Sequence, residues 1–390
     1  MCSARIIGMD KYAPNKNYLA LYANALAMQF SSALVLTFVG VSLFIQGLSL
    51  TYILFYFGLE FIVRALLTPF SGTLVSKLGL NKVVIIANSL LFLYFLNLSL
   101  FSINPKLGFA SFILHSASKA LYHPAKHYLQ ANFVEDGKRG HYLSLEVVLN
   151  GICGALAVSF ATFSMIAYKS FFPVALVAGL MLFIASFVLV RVLDNIDTSD
   201  SNLNYKKIIK FTLSKKFRYD FAAFAGFAAS MGFNNVVISL FIFFIIGSLK
   251  LFGIISATLF IVNIILTLIY GAYIDKKRQQ STKIAGLLQI LSLLLLATAS
   301  SPLTAGIFKA LYDFSWGSYD GSFTSRFHDK IKRNGLIYAC SKEVSLSLSA
   351  GMYCTVLAVA SLFMTQYFVM ILALILVFIG IFIAQKCFTD

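Results

Sequence analysis

Apolar residues run through this chain in long, nearly unbroken blocks, and polar positions collect between them. Twelve blocks can be marked, at 18–45, 50–75, 83–103, 107–132, 142–167, 171–192, 221–247, 251–274, 283–300, 303–326, 335–363 and 366–386. Each approaches or exceeds the ~20 residues that an α-helix needs to cross the hydrocarbon of a bilayer. The pattern predicts an all-α polytopic membrane protein with twelve transmembrane helices, arranged as two pseudo-symmetric six-helix bundles. The bundles occupy residues 1–193 and 220–390, with a cytoplasmic linker at 194–219. In that linker Ile209, Leu213 and Phe217 recur at i, i+4, i+8 among lysines. Such spacing predicts a short amphipathic helix lying on an anionic membrane surface.

Polar positions inside the apolar blocks point to a duplication. Lys119-Ala120-Leu121-Tyr122 returns 190 residues later as Lys309-Ala310-Leu311-Tyr312. Lys119, His123, Lys126 and Gln130 are spaced 4, 3 and 4 apart, and Lys309, Asp313, Trp316 and Asp320 repeat that spacing. On a helix this lines up one face. A charge at bilayer depth costs roughly 2.5–3.5 kcal/mol on insertion scales, so a lysine kept at one place in both halves implies a role. Gly72-Thr73-Leu74-Val75-Ser76-Lys77 likewise echoes Gly271-Ala272-Tyr273-Ile274-Asp275-Lys276, and Glu146-Val147 echoes Glu343-Val344.

Composition agrees, with 59% hydrophobic and 12% charged residues and a mean hydropathy of +0.85. The net charge of +16 suggests nucleic acid until it is mapped. With the N-terminus cytoplasmic, most basic residues fall on cytoplasmic segments, and the outer loops hold Lys106, Lys169 and Lys250. The positive-inside rule then orients both termini to the cytoplasm and removes any need for a nucleic-acid partner. The expected location is the cytoplasmic (inner) membrane, with the bilayer, a small-molecule solute and protons as partners and a monomeric state. Cys2, Cys153, Cys340, Cys354 and Cys387 lack metal or disulfide spacing. No removable signal peptide is apparent at the N-terminus.

The candidate chemistry lies on the polar stripes. His115, Lys119, Tyr122 and Lys126 on the fourth block either line a wet cavity or glue helices together. Lys309 either neutralises Asp313 one turn away or faces Lys119 across a central cavity, making a cationic pair for an anionic group. Asn234, Asn235 and Asn263 suit substrate contacts or interhelical hydrogen bonds, and Tyr312 and Trp316 join the candidate cavity. Glu60 and Arg64, an i, i+4 pair, are either structural or, with Asp313 and Asp320, a route for proton coupling. His123 and His127 have ligand spacing, but neither an acid on that block nor a nearby Cys completes a set, so no metal is expected. Nucleophile-elbow, phosphate-loop and zinc-protease motifs are absent. No cofactor and no enzymatic activity are expected.

Six helices plus six, a long central loop and a Gly-initiated basic loop after the second and eighth blocks together resemble the major facilitator superfamily. Its loop pattern Gly-x-Leu-x-Asp-Arg-x-Gly-Arg-Lys is met by Gly72, Leu74, Lys77, Gly79 and Lys82, with Ser76 in place of Asp. The second copy keeps Gly271, Asp275 and Lys276. A shorter stretch, Tyr122-His123-Pro124-Ala125-Lys126, is similar to a segment of lysophospholipid transporters. The resemblance implies a secondary active transporter with a midplane site and rocker-switch alternating access, and with the lysine stripes the expected cargo is a small anionic or amphipathic solute. Proton-linked drug efflux and lysophospholipid flipping are the alternatives within that class. A transport-inactive sensor or scaffold and an intramembrane transferase using His123 and Asp313 are the alternatives outside it. The resemblance also implies a cytoplasmic gate at Gly72, Lys77, Gly79, Glu146, Gly271, Asp275, Lys276 and Glu343. Because Ser76 has no carboxylate to offer that gate, a Lys77–Glu343 ion pair is expected to take its place.

Overall fold

The computed structural model describes residues 16–99, 111–133, 139–168, 172–192, 203–261 and 278–387, all of it helices and their connections. The first half contains α1 (Lys16–Ile45), α2 (Leu50–Leu78), α3 (Leu80–Ser99), α4 (Phe112–Phe133), α5 (Arg139–Tyr168) and α6 (Phe172–Val192). A short α7 (Tyr205–Thr212) follows. The second half contains α8 (Arg218–Ile246), α9 (Leu249–Ile261), α10 (Arg278–Ala297), α11 (Pro302–Ala360) and α12 (Gln366–Cys387). Eight of these helices, among the described residues, are long and apolar enough to cross a membrane. α4 is not one of them because its polar stripe lowers its hydropathy. α6 and α9 qualify only as shorter apolar stretches, and the remainder of the eighth expected block lies outside the described residues.

The fold is that of two helical bundles. In the first, α1 packs on α5 and α6, α3 on α4 and α6, and α2 on α4; in the second, α8 packs on α11 and α12, and α10 on α11. The tenth and eleventh expected spans form a single 59-residue run whose two limbs meet at Gly335 (φ 70°, ψ −160°). The residues between 326 and 335, expected as a loop, stay helical because no helix breaker precedes Gly335. That glycine turns the chain back through a region that L side chains rarely adopt. We call the limbs α11a, before Gly335, and α11b, after it.

The two halves meet most closely where α2 crosses α11b. A Cβ added at Gly351 would lie 2.7 Å from Ile62 Cγ1 and 3.0 Å from its backbone nitrogen. The backbones approach so closely there that no side chain fits between them. Thr51 and Ser361 hydroxyls meet at 2.8 Å at one end of the crossing.

α7 spans both halves at the other end. Asn204 caps it, its side chain accepting from the Lys207 amide at 2.9 Å. The buried face differs from the one expected: Ile208 and Thr212 are covered, whereas Leu213 is 77% exposed. Ile208 packs over Gly72 of α2, and the Thr212 hydroxyl donates to Ser341 Oγ of α11b at 2.9 Å. Phe217 is buried against Tyr338 rather than against lipid. The docking partner is therefore protein on both sides, because the apolar face meets a prepared seat at Gly72 and Ser341.

Gly351→Ala should lower the thermal unfolding temperature of the purified protein, by a loss of about 1–3 kcal/mol from forced backbone displacement. Gly306→Ala, whose methyl would find Ile255 Cγ2 at 3.6 Å, should not lower it, since Ala is the better helix former.

Candidate functional site

Between the halves lies a cavity of about 470 Å³. α2 contributes Glu60 and Arg64, α4 contributes His115, Lys119, Tyr122, His123 and Lys126, α8 contributes Asn234 and Asn235, and α11a contributes Lys309, Asp313 and Trp316. The 3.6-residue period places the α4 stripe on one face. On α8 a π-helical segment, Phe233–Val237, interrupts the α period where the two asparagines sit. Both then reach the cavity, with Asn234 Nδ2 donating to Asn235 Oδ1 at 3.3 Å. Tyr312 does not line it: fully buried, it packs edge-on against Phe233 at 5.5 Å. Asp320, a turn beyond Trp316, also lies outside the lining, where it accepts from Thr324 Oγ1 at 3.3 Å.

Among the described residues, four basic side chains (Arg64, Lys119, Lys126, Lys309) and two carboxylates (Glu60, Asp313) line the cavity. Arg64 Nη2 donates to Glu60 Oε1 at 2.9 Å. His115 Nδ1 lies 2.9 Å from that oxygen, its ring stacked on Tyr94 at 4.5 Å. Glu60 Oε2 is buried with no hydrogen-bond partner among the described residues. On α11a, Lys309 Nζ donates to both Asp313 oxygens, at 2.6 and 2.8 Å. The pair across one turn thus forms, and Lys309 is neutralised within its own helix. Lys119 has no acidic partner among the described residues; its hydrogen bond runs to Ser32 Oγ at 3.5 Å. The two repeated lysines have diverged in environment.

One turn beyond His123, away from the cavity, a second cluster joins α4 to α11. Lys342 Nζ donates to Glu343 Oε1 at 2.7 Å and to His127 Nε2 at 2.9 Å. His127 lies 3.4 Å from Glu343 and 3.4 Å from His328. Lys342 also sits 4.1 Å over the Phe327 ring. The expected Lys77–Glu343 pair is not made. Glu343 is buried and takes its neighbour Lys342, whereas Lys77 is exposed at the end of α2. The Ser76 hydroxyl instead donates to the Thr73 carbonyl at 2.9 Å and the Leu203 carbonyl at 3.5 Å. Gly72 seats α7 and Gly79 ends α2 with φ 82°. The side chain of Glu146, and Gly271, Asp275, Lys276 and Asn263, lie outside the described residues. Sequence reasoning misses His328 and Lys342, for which a lysine beside a glutamate inside an apolar block is the available signal. It also misses Asp220, which takes Lys330 at 2.7 Å and the Tyr338 hydroxyl at 3.0 Å. Among the described residues no group of His, Cys, Asp and Glu could hold a metal.

Residues 21–350 match the family model described as Major Facilitator Superfamily. No curated protein matches the chain. Solved structures with a similar fold include the human organic anion transporter MFSD10 (TETRAN), with a TM-score of 0.68 and 12% identity, covering 95% of this chain and 99% of that one. A second is the transporter FucP in the outward conformation, with a TM-score of 0.67 and 15% identity, covering 96% of this chain and 100% of that one. A variant of FucP, the fucose:proton symporter of E. coli, gives 0.66 at 14% identity, covering 96% and 98%.

Removing one partner of a buried ion pair strands the other, at roughly 3–5 kcal/mol, whereas replacing both can be nearly neutral. Arg64→Met should therefore depress the unfolding temperature more than Arg64→Met combined with Glu60→Gln. Equal depression would show that Glu60 does not depend on Arg64.

Proposed function

This chain belongs to the major facilitator superfamily of secondary transporters, and within it we propose that the cavity carries a small organic anion. The observation that carries this reading is Lys119, which lines the cavity and lacks an acidic partner among the described residues. An ammonium in a low-dielectric site is offset by a counter-charge or by water. A carboxylate or phosphate arriving from solution would supply that counter-charge and form an ion pair with the lysine. Human MFSD10 is described as an organic anion transporter; at 12% identity that likeness is one of fold, and the reading here rests on this chain's own charges.

Alternating access in this proposal comes from the bundles at 1–193 and 220–390 rocking about the α2–α11b crossing, linked through 194–219. The positive-inside rule puts the end carrying Lys77 and α7 in the cytoplasm. There the His127–Lys342–Glu343 cluster ties α4 of one half to α11b of the other, and we assign it the closing role expected of Lys77. At the opposite end Phe44 meets Phe244 edge-on at 4.9 Å. Proton coupling would use Glu60, whose Oε2 is left without a hydrogen-bond partner among the described residues, and Asp313, whose hold on Lys309 a proton would release.

Two measurements test this. Lys119→Gln should weaken binding of stabilising anions at least tenfold, about 1.4 kcal/mol, read from ligand-dependent thermal shifts. Lys119→Arg should recover part, and Lys309→Gln should cost less because Asp313 already neutralises Lys309. Unchanged affinity in Lys119→Gln sinks the anion reading. In proteoliposomes, Asp313→Asn or Glu60→Gln should abolish accumulation driven by a proton gradient while sparing counterflow exchange; accumulation surviving in both variants removes these acids from coupling.

A further inference from the structure

Both walls of the cavity carry apolar side chains, Met28, Phe57 and Phe61 in the first half and Met231, Phe260 and Trp316 in the second, but among the described residues the lysine without an acidic partner, Lys119, is on the first. On the first-half wall Arg64 is paired with Glu60, and Lys119 of α4 hydrogen-bonds to Ser32 Oγ. On the second-half wall the ionised groups among the described residues, Lys309 and Asp313, are closed on each other. That wall otherwise presents Trp316, Met231, Leu259 and Phe260 with neutral amides and hydroxyls. Trp316 is the outer member of a ring stack: it lies on Phe227 at 5.3 Å and 27°, and Phe227 lies on Phe323 at 4.5 Å and 8°. Phe227 and Phe323 are buried and do not line the cavity, whereas Trp316 does.

We propose that the transported anion is amphipathic, an acidic group joined to a flat aromatic body, and that Trp316 selects for that body; this rests on the anion reading above. An indole stacked on Phe227, itself backed by Phe323, loses that contact if it swings away, so its other face is a favoured platform for offset stacking. Preorganisation lets a ligand ring gain that contact without first ordering the site. The acidic group would then lie toward Lys119 and the ring toward Trp316, so one orientation satisfies both walls. A cavity of this volume falls within the roughly 300–1,000 Å³ of small-molecule sites. It leaves room for an aromatic acid and far more than a simple carboxylate fills.

Trp316 is the sole tryptophan of the chain, so intrinsic emission reports on this wall directly. The full-length protein in nanodiscs would be titrated with biphenylacetate, acetate and biphenylethanol, with empty nanodiscs correcting for partitioning. Biphenylacetate should change the emission saturably and raise the unfolding temperature. Acetate, lacking the ring, and biphenylethanol, lacking the charge, should each bind at least tenfold more weakly. By thermal shift, Trp316→Ala should bring biphenylacetate and acetate to within threefold of each other, and Trp316→Phe should keep most of the preference. Acetate binding as tightly as biphenylacetate overturns the aromatic proposal and leaves the anion reading standing. Biphenylethanol binding as tightly as biphenylacetate overturns the anion reading and the proposal with it. Absence of any saturable response to biphenylacetate, or a ring preference that survives in Trp316→Ala, overturns the role given to Trp316.

Discussion

Taking an ammonium or carboxylate out of water costs several kcal/mol, and within a bilayer that cost decides where each charged side chain of this protein can sit. Glu60 is held by Arg64 with His115 alongside, Asp313 by Lys309, and Glu343 by Lys342 with His127 alongside. Each set lies on helix faces turned inward, and the outward positions are left to residues such as Phe363, Tyr367 and Phe382. The bundles close around their charges. Lys119 is the informative departure, since it faces a cavity and, among the described residues, lacks the carboxylate that each of the other sets contains.

The repeated tetrapeptide sits in two different electrostatic settings. Lys119 and Lys309 occupy matching places, yet the residue four positions on is His123 in one copy and Asp313 in the other. That one difference makes the second lysine a neutral pair and leaves the first without a carboxylate of its own helix. Among the described residues the cavity therefore has a closed ion pair on its second-half wall and, on its first, a lysine without an acidic partner.

Much of this is legible in the residue pattern. The spans, the two-bundle architecture and the stripes on α4 and α11a follow from hydropathy and helical period, which are local properties. The Lys309–Asp313 pair is legible as one of two alternatives, because i, i+4 spacing allows it without demanding it. What cannot be read depends on distance through space. Lys77 and Glu343 are a plausible pair only until burial is known: one lies at an exposed helix end and the other inside, where an adjacent lysine already meets it. Tyr312 shares a repeat with cavity residues yet points into the second bundle, since a step of three residues along a helix from Lys309 rotates a side chain partly off the lining face. The residue spacing favours Ile209 and Leu213 for the buried face of α7. The seat formed by Gly72 and Ser341 belongs to helices far away in sequence, and it selects Ile208 and Thr212.

α7 has eight residues, too few to hold helical form alone in water. Its shape is borrowed from the seat it occupies. Parting the bundles at that end would remove the seat, so undocking and unwinding become one event instead of two. Helix–coil relaxation takes on the order of 0.1–1 μs even for a ~20-residue peptide, whereas collective domain motions take μs to ms. The connector would melt and refold within each excursion of the bundles and follow them without lag. A linker of this kind sets no pace of its own; it adds to the height of the barrier and leaves the time course to the helices it joins.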